Sequence, residues 1–380
     1  METRLIRAQE LSTFVERVLA AVGVSPEHAA IVADCLVTAN LAGVDSHGVV
    51  RLGHYVARLE NGTIKARPSL TFERRAPSLG ILDGDDGLGH VVMVRACTEA
   101  MALAEENGSG AVAVKNSSHF GMAGFYVNRI VSEGFAGIVM TATDALLVPF
   151  GARQPFFGSN PIAIGFPSTG SGQAPTGGIP VILDMATTSI SYGKIALAKA
   201  EGRPIPPDWG LDQDGHPTAD PHRIVGLHPI AGPKGSGLAM IIDIFCSILT
   251  GMAWGPHINK MYGRMDQPRR LGHFVLALDI KRWMPLDTFK YRLGEMLAEF
   301  NALAPTEGGD RVYYPGQIEG ERCQQRRAEV DDGRTLVHGR TPVRHIHEVD
   351  EYIHEGIPID PGLYQEIVGL GRRFNVPVPG

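Results

Sequence analysis

At 380 residues the chain has material for two domains at ~100 to 200 residues each and for a sizeable core, which excludes a disulfide-stapled mini-protein. Lys and Arg number 35 against 41 Asp and Glu, a formal charge of −6 with no basic block, so nucleic acid is not an expected partner. With 44% apolar and 20% charged residues, the composition is that of an ordinary globular protein and not of a disordered or fibrous one.

The N-terminal stretch METRLIRAQELSTFVERVL carries acidic residues and no continuous apolar core, so it reads as a first helix and not as a secretory signal. Residues 8–42 place apolar side chains at helical spacing (Leu11, Phe14, Val15, Val18 and Leu19, then Ala30, Ile31, Ala33, Leu36 and Val37), with Ser25-Pro26-Glu27 as the cap and first turn of a second helix. A polar helix is expected next. Strand-like segments at 80–83, 110–114, 137–141 and 181–183 then alternate with helix-like stretches at 91–107 and 121–133, which predicts an α/β fold. Pro and Gly crowd 165–180 and 202–235, which read as surface connections near a domain junction or a site. The longest apolar run, 238–251, is shorter than the ~20 residues of a membrane span and contains Asp243, so it reads as a core helix and no membrane partner is expected. Helix is expected again at 287–300 and at 361–374, with 331–350 as an inserted excursion between them. These boundaries suggest an α/β domain over 76–279 and a mainly helical, discontinuous domain of 1–75 plus 280–380. Cys35, Cys97, Cys246 and Cys323 are far apart and show no CxxC or Cys/His spacing, so neither disulfides nor a metal site is expected and a reducing, cytoplasmic compartment fits.

A dinucleotide fingerprint needs a strand, then G-x-G-x-x-G, then a helix. At Gly108-Ser109-Gly110 the order is reversed, with helix before and the strand AVAV after, so the glycines read as a helix C-cap and a conventional Rossmann site is disfavoured. Gly232-Pro233-Lys234-Gly235-Ser236-Gly237 runs into LAMIIDIFCSIL. It reads either as a loop presenting backbone amides and a lysine to a phosphate at the positive end of a helix, or as a plain Pro/Gly loop. Within 45–58, His47, Arg51, His54 and Arg58 follow at i, i+4, i+7 and i+11 and would share one helical face. That face suits a carboxylate gripped by Arg51 beside an imidazole that moves a proton, and it equally suits a solvated polar surface. His119 stands where a strand gives way to a helix, whose positive end favours a neutral imidazole fit for proton transfer; a helix cap is the other reading. Around Thr143, at 157–161 and at 182–188, short strands end in small hydroxyl and amide residues. Turn chemistry accounts for Gly158, Asn160 and Pro161, and less readily for Asp184 at a strand end.

Taken together, DSHGVVRLGHY (45–55), NSSHFGMAG (116–124), PFFGSNPIAIGFP (155–167), ILDMATT (182–188) and GPKGSGLAMIID (232–243) resemble the malate/L-lactate dehydrogenase-like oxidoreductases, which use NAD(P) without a Rossmann fold. The resemblance covers most of 1–330. It implies a non-Rossmann mixed-sheet cofactor domain with a mainly helical N-/C-terminal domain, a homodimer, NAD or NADP as cofactor, a small 2-hydroxy acid as substrate, and no catalytic metal. It implies His119 as the acid/base, with the Ser46-His47 pair holding a proton-transfer role in other branches. Arg51 would bind the substrate carboxylate, with His47 and Thr143 also at the substrate. Phe120, Gly121, Thr143, Asp184, Met185, Ala186, Lys234 and the Pro315-Gly316-Gln317 turn would meet the dinucleotide. The runs at 231–235 and 311–317 are most similar to the ureidoglycolate dehydrogenase branch, which implies oxidation of ureidoglycolate to oxalurate. Malate, L-lactate and sulfolactate present the same carbinol beside a carboxylate and are the alternatives. Family reductases of cyclic imino acids carry an acid where Lys194 stands, which argues against that reaction. From a different class, a non-catalytic binder would hold an anionic metabolite on the His-Arg face.

Overall fold

The structure, a computed structural model, describes residues 3–168, 178–327 and 356–380; the 331–350 segment lies outside the described residues. In chain order the elements are β1 (Arg4–Ile6), α1 (Ala8–Ala21), α2 (Pro26–Leu41), α3 (Leu52–Glu60), β2 (Thr71–Ala76), β3 (Leu79–Asp83), α4 (Gly89–Asn107), β4 (Ser109–Ser117), α5 (Ala123–Ser132), β5 (Phe135–Thr141), β6 (Ile162–Phe166) and β7 (Val181–Met185). They continue with α6 (Tyr192–Glu201), β8 (Gly210–Leu211), β9 (Gly226–Leu227), α7 (Pro233–Asp243), β10 (Leu271–Asp279), α8 (Leu286–Asn301), α9 (Gln317–Arg327), β11 (Ile357–Ile359) and α10 (Pro361–Phe374). Two compact units divide the chain: Met1–Val56, Phe166–Ile182 and Ile280–Gly380 form the first, Ala57–Gly165 and Leu183–Asp279 the second. No helix among the described residues is long and apolar enough to cross a membrane.

In the first unit the N-terminal helices form as their patterns predict. Leu11, Phe14, Val15, Val18 and Leu19 are the buried stripe of α1, and the Ser25 side chain accepts from His28 N–H to cap α2. β1 pairs antiparallel with β11. The guanidinium of Arg326, in α9, donates to the Asn40 carbonyl at the end of α2.

The second unit is built on a mixed seven-stranded sheet of order β2-β3-β4-β10-β5-β6-β7, the mixed α/β architecture expected. β3 and β4 are parallel, whereas β10 runs antiparallel to both its neighbours, β4 and β5. Gly108 closes α4 with φ +85°, so the glycines at 108–110 do form a C-cap. A side chain at Gly110 would place Cβ 2.0 Å from the Ala100 carbonyl, so glycine here lets α4 lie directly on β4. α7 passes into a π-helical turn, Ile244–Ile248, which rests on β10 where Gly272 offers no Cβ; one built there would lie 1.7 Å from the Cys246 carbonyl.

The expected polar helix across 45–58 is not continuous. Asp45–His47 and Val49–Arg51 are separate 3₁₀ turns, divided at Gly48, whose backbone is extended (φ −87°, ψ −151°), and α-helix begins only at Leu52. The i, i+4, i+7, i+11 face therefore does not exist. Arg58 is 1% exposed and donates to the carbonyls of Gln267 (3.0 Å) and Met261 (2.9 Å), so it anchors a loop of its own unit and is not part of an anion-binding face.

His90 and His273 are fully buried, and desolvation pushes both imidazoles from 6.5 down to about 3. Below pH 6.5 the unfolded rings take up protons that the folded ones refuse, so stability falls as pH falls and levels off near pH 3. Between about pH 6 and 4 each ring removes roughly 1.4 kcal/mol per pH unit. Urea denaturation stepped from pH 7 to about 4 should show that decline, and a flat profile would refute neutral burial.

Candidate active site

Because β4 and β5 run the same way on either side of β10, the loops that follow them leave from one end of the sheet. Such strand ends are where ligands approach open α/β sheets. The loop after β4 carries His119. Its neighbour Ser118 donates through its hydroxyl to the Gly87 carbonyl (2.8 Å) and accepts from Gly89 N–H (2.8 Å), which fastens the loop to the start of α4. Gly89 has to be glycine here, since a Cβ would sit 2.3 Å from the Ser118 carbonyl and 2.6 Å from that of His119. His119 is half-buried, and its Nδ1 accepts from Gly121 N–H at 3.4 Å. Gly121 takes φ +79°, a turn that favours glycine. The Phe120 ring points into the core, edge-on to Tyr126 and His273, and the Tyr126 hydroxyl donates to the Phe120 carbonyl.

Thr143 follows β5 in a socket made by the 157–160 turn. Its N–H donates to Asn160 Oδ1 (2.9 Å), and its hydroxyl accepts from Ser159 N–H (3.0 Å). Asn160 is fully buried, and its amide donates to the Ala239 carbonyl of α7 (3.0 Å) and to Asp243 Oδ2 (3.3 Å). A Cβ on Gly158 would lie 2.1 Å from Thr143 Oγ1. On the other side, Asp144 pairs with the buried Arg269. The turn residues thus hold a candidate site residue from several directions, beyond reversing the chain.

At the end of β7, Asp184 Oδ2 accepts from Gly124 N–H (2.7 Å), placing a carboxylate at the positive first turn of α5. Thr187 donates through both N–H and hydroxyl to the Ser159 carbonyl, each at 2.8 Å, so the segment holding Met185 and Ala186 is tied to the Thr143 socket. The reading of 232–237 as a loop requires a correction. α7 begins at Pro233, and the expected glycine-rich loop is the first turn of the helix itself. Proline suits that first position, and Gly235 fits because a Cβ would fall 2.0 Å from the Ile230 carbonyl. Lys234 is exposed on this turn. A cavity of about 610 Å³ opens beside it, lined by residues including Phe150, Leu211, His228 and Gly232; His119, Thr143 and Asp184 do not line it.

In the first unit, Asn40 organises the turn that holds Ser46 and His47. Its Oδ1 accepts from Val49 N–H (2.9 Å) and its amide donates to Asp45 (2.5 Å), while a Cβ on Gly48 would meet Asn40 Oδ1 at 2.2 Å. Ser46 Oγ lies 3.0 Å from His47 Nδ1, and Arg51 Nε donates to the Ser46 carbonyl (2.6 Å). Burial, with the charge of Arg51 adding to it, lowers the His47 imidazole to about 4, so the ring is neutral at pH 7. The 315–317 turn is fixed by Pro315, whose carbonyl accepts from Ile182 N–H (3.0 Å), and by Gly316 at φ +85°. The Gln317 side chain accepts from Tyr314 N–H (3.2 Å) and donates to Glu321 (3.0 Å), so its amide is engaged in the turn.

His119, Phe120, Gly121, Thr143, Asp184, Met185, Ala186 and Lys234 thus belong to the second unit, and Ser46, His47, Arg51, Pro315, Gly316 and Gln317 to the first. Asn40, Ser118 and His273 escaped sequence reasoning as residues that hold the site. Their signal was a polar side chain inside a stretch that folds as core.

The profile of the malate/L-lactate dehydrogenase family matches residues 6–333. The chain is 33% identical over 326 residues to an NAD(+) ureidoglycolate dehydrogenase of Escherichia coli strain K12, covering 86% of this chain and 91% of that protein. It is 36% identical over 322 residues to a malate dehydrogenase of Pyrococcus abyssi, covering 82% and 86%. Its fold is similar to the solved structure of a sulfolactate dehydrogenase from Methanocaldococcus jannaschii, with a TM-score of 0.84, 30% identity, and 99% and 98% of the two chains covered.

Proposed function

The chain belongs to the malate/L-lactate dehydrogenase family, and from that premise we propose that this 2-hydroxyacid dehydrogenase oxidises ureidoglycolate to oxalurate with NAD. The observation that carries the substrate is the run Arg311–Gln317, RVYYPGQ, with its similarity to the ureidoglycolate branch. A second reading, malate or sulfolactate, is supported by the 36% identity to the Pyrococcus malate dehydrogenase and the fold similarity to the Methanocaldococcus sulfolactate dehydrogenase.

The donor set fits a nicotinamide dinucleotide. Lys234 and the first-turn amides of α7 offer cationic and N–H groups to a diphosphate, and the Cβ direction of Gly237 opens on no atom within 4 Å. Thr143, Asp184–Ala186, Phe120, Gly121 and the 315–317 turn are assigned to the same cofactor. When bound, the nicotinamide supplies the two-electron acceptor for the carbinol carbon. His119 takes the hydroxyl proton. Arg51 binds the substrate carboxylate through its guanidinium fork, with His47 as a neutral hydrogen-bonding partner held by Ser46. The same proposal includes a homodimer in the cytoplasm. Met240, Ile241, Ile244, Phe245, Ile248 and Leu249 form an apolar stretch 37–57% exposed along α7 and its π turn, which supports association.

Initial rates with NAD and with NADP across ureidoglycolate, malate, L-lactate and sulfolactate test this reading. Ureidoglycolate with NAD should give the highest kcat/KM, and a preference for malate or sulfolactate would replace it. In the same assay Arg51→Ala should raise the substrate KM at least tenfold, given ~1.5 to 3 kcal/mol for a charged hydrogen-bonded contact. An unchanged KM would remove Arg51 from the substrate.

A further inference from the structure

We propose that His273 is a positioning residue for this reaction, a single buried imidazole that braces both loop ends carrying His119 and Thr143. The inference rests on His119 as the proton-transfer group. β10 lies between the two strands that deliver those residues, and His273 stands in register with Val114 of β4 on one side and Thr141 of β5 on the other. Its Nδ1 is 2.7 Å from Thr141 Oγ1, and that hydroxyl lies 3.0 Å from the Ala142 carbonyl, one residue before Thr143. Toward β4, the His273 ring meets the Phe120 ring edge-on, with centroids 4.8 Å apart. Phe120 is the chain neighbour of His119.

The placement has a cost that packing alone does not explain. A hydrocarbon side chain of similar volume would fill this fully buried point in β10 without desolvating two ring nitrogens. What the imidazole adds is reach in two directions across the sheet. Burial and the nearby charge of Arg269 keep the ring neutral; Nδ1 engages the Thr141 hydroxyl, while Nε2 is buried with no hydrogen-bond partner among the described residues. A fixed, singly protonated ring of this kind sets the distance between two loop ends that the strands alone leave adjustable. Misplacing a reacting group by about 1 Å can cost on the order of 10²-fold in rate.

The test compares His273→Gln, His273→Asn and Thr141→Val with His119→Ala in the full chain. Turnover is measured with ureidoglycolate and NAD, thermal stability is followed in parallel, and the His119 imidazole resonance is observed by NMR in ¹³C-histidine-labelled protein without substrate. Gln has the length to hold Thr141 and still cover the Phe120 ring, whereas Asn reaches only Thr141. The expected result is kcat within about threefold of the parent for His273→Gln and at least about tenfold lower for His273→Asn, with KM changed less than about twofold and the His119 resonance shifted only in the Asn variant. Equal kcat in the Gln and Asn variants, with an unmoved His119 resonance, overturns the proposal. If neither His273 variant folds, Thr141→Val decides: a fall in kcat of about fivefold or more at constant KM supports the brace, and parental kcat overturns it. Near-parental turnover of His119→Ala rejects the acid/base assignment itself, and the inference built on it, whatever the His273 variants do.

Discussion

His119→Ala should fold like the parent and retain NAD binding while its turnover drops by roughly 10²- to 10⁴-fold, the usual worth of a positioned general base. The loop does not depend on the imidazole for its shape. Ser118 clips it to α4, the Phe120 ring is locked in the core, and the Tyr126 hydroxyl holds the Phe120 carbonyl. Truncation at Cβ therefore removes the proposed proton acceptor and little else. Steady-state kcat, read beside the melting temperature and NAD titration, checks this. Turnover within a few-fold of the parent, in a protein that melts and binds NAD normally, would assign the proton transfer elsewhere, with the Ser46-His47 pair first to be examined.

Arg58→Ala should act in the opposite manner, unfolding the protein without touching the chemistry. The guanidinium is buried, and its N–H groups are divided among the carbonyls of Lys260 (3.4 Å), Met261 and Gln267 and the Thr63 hydroxyl (3.4 Å). Removing it strands several acceptors in the interior and leaves a large void, a combination expected to destabilise by about 3–5 kcal/mol. Arg58→Lys should recover only part of that loss, since an ammonium cannot present donors in a planar fork to carbonyls on different sides. Denaturant titration gives the stability, and KM per folded molecule gives the contrast with Arg51. A stable Arg58→Ala protein with a raised substrate KM would return Arg58 to the binding face that its spacing first suggested.

The contrast between Arg51 and Arg58 shows why only part of the molecule could be read from its residues. Elements with local signals were legible: α1 by its apolar stripe, α2 by Ser25-Pro26, the end of α4 by Gly108, and α10 over the expected 361–374. The helical face across 45–58 misled because spacing counts residues and is blind to the chain reversing its conformation at Gly48. The start of α7 was misjudged because glycines suggest a loop, although here they let the first helical turn approach Ile230 closely. β10, LGHFVLALD, went unrecognised as a strand. Its run FVLAL is apolar at every position, so it lacks the polar–apolar alternation that marks a half-exposed strand, and nothing local indicates that it belongs between β4 and β5. α9 escaped because it is polar almost throughout, and it is held instead by contacts such as Arg326 to Asn40. The site followed the same division. His119 and Thr143 sit in short runs with a readable chemistry, whereas His273 and Asn160 acquire their roles from partners remote in sequence.

The position of β10 also sets a timetable for biosynthesis. At about 5 to 20 residues per second, several seconds separate the translation of β5 from that of β10, and until Leu271–Asp279 has left the ribosome the nascent sheet has an empty lane at its middle. During that interval β4 and β5 each expose an unpaired edge to solvent, the kind of edge on which chaperones and aggregation compete. The end of the sheet that carries His119 and Thr143 is thus among the last parts of this unit to gain its native form, and truncation anywhere before residue 271 would leave it without a centre.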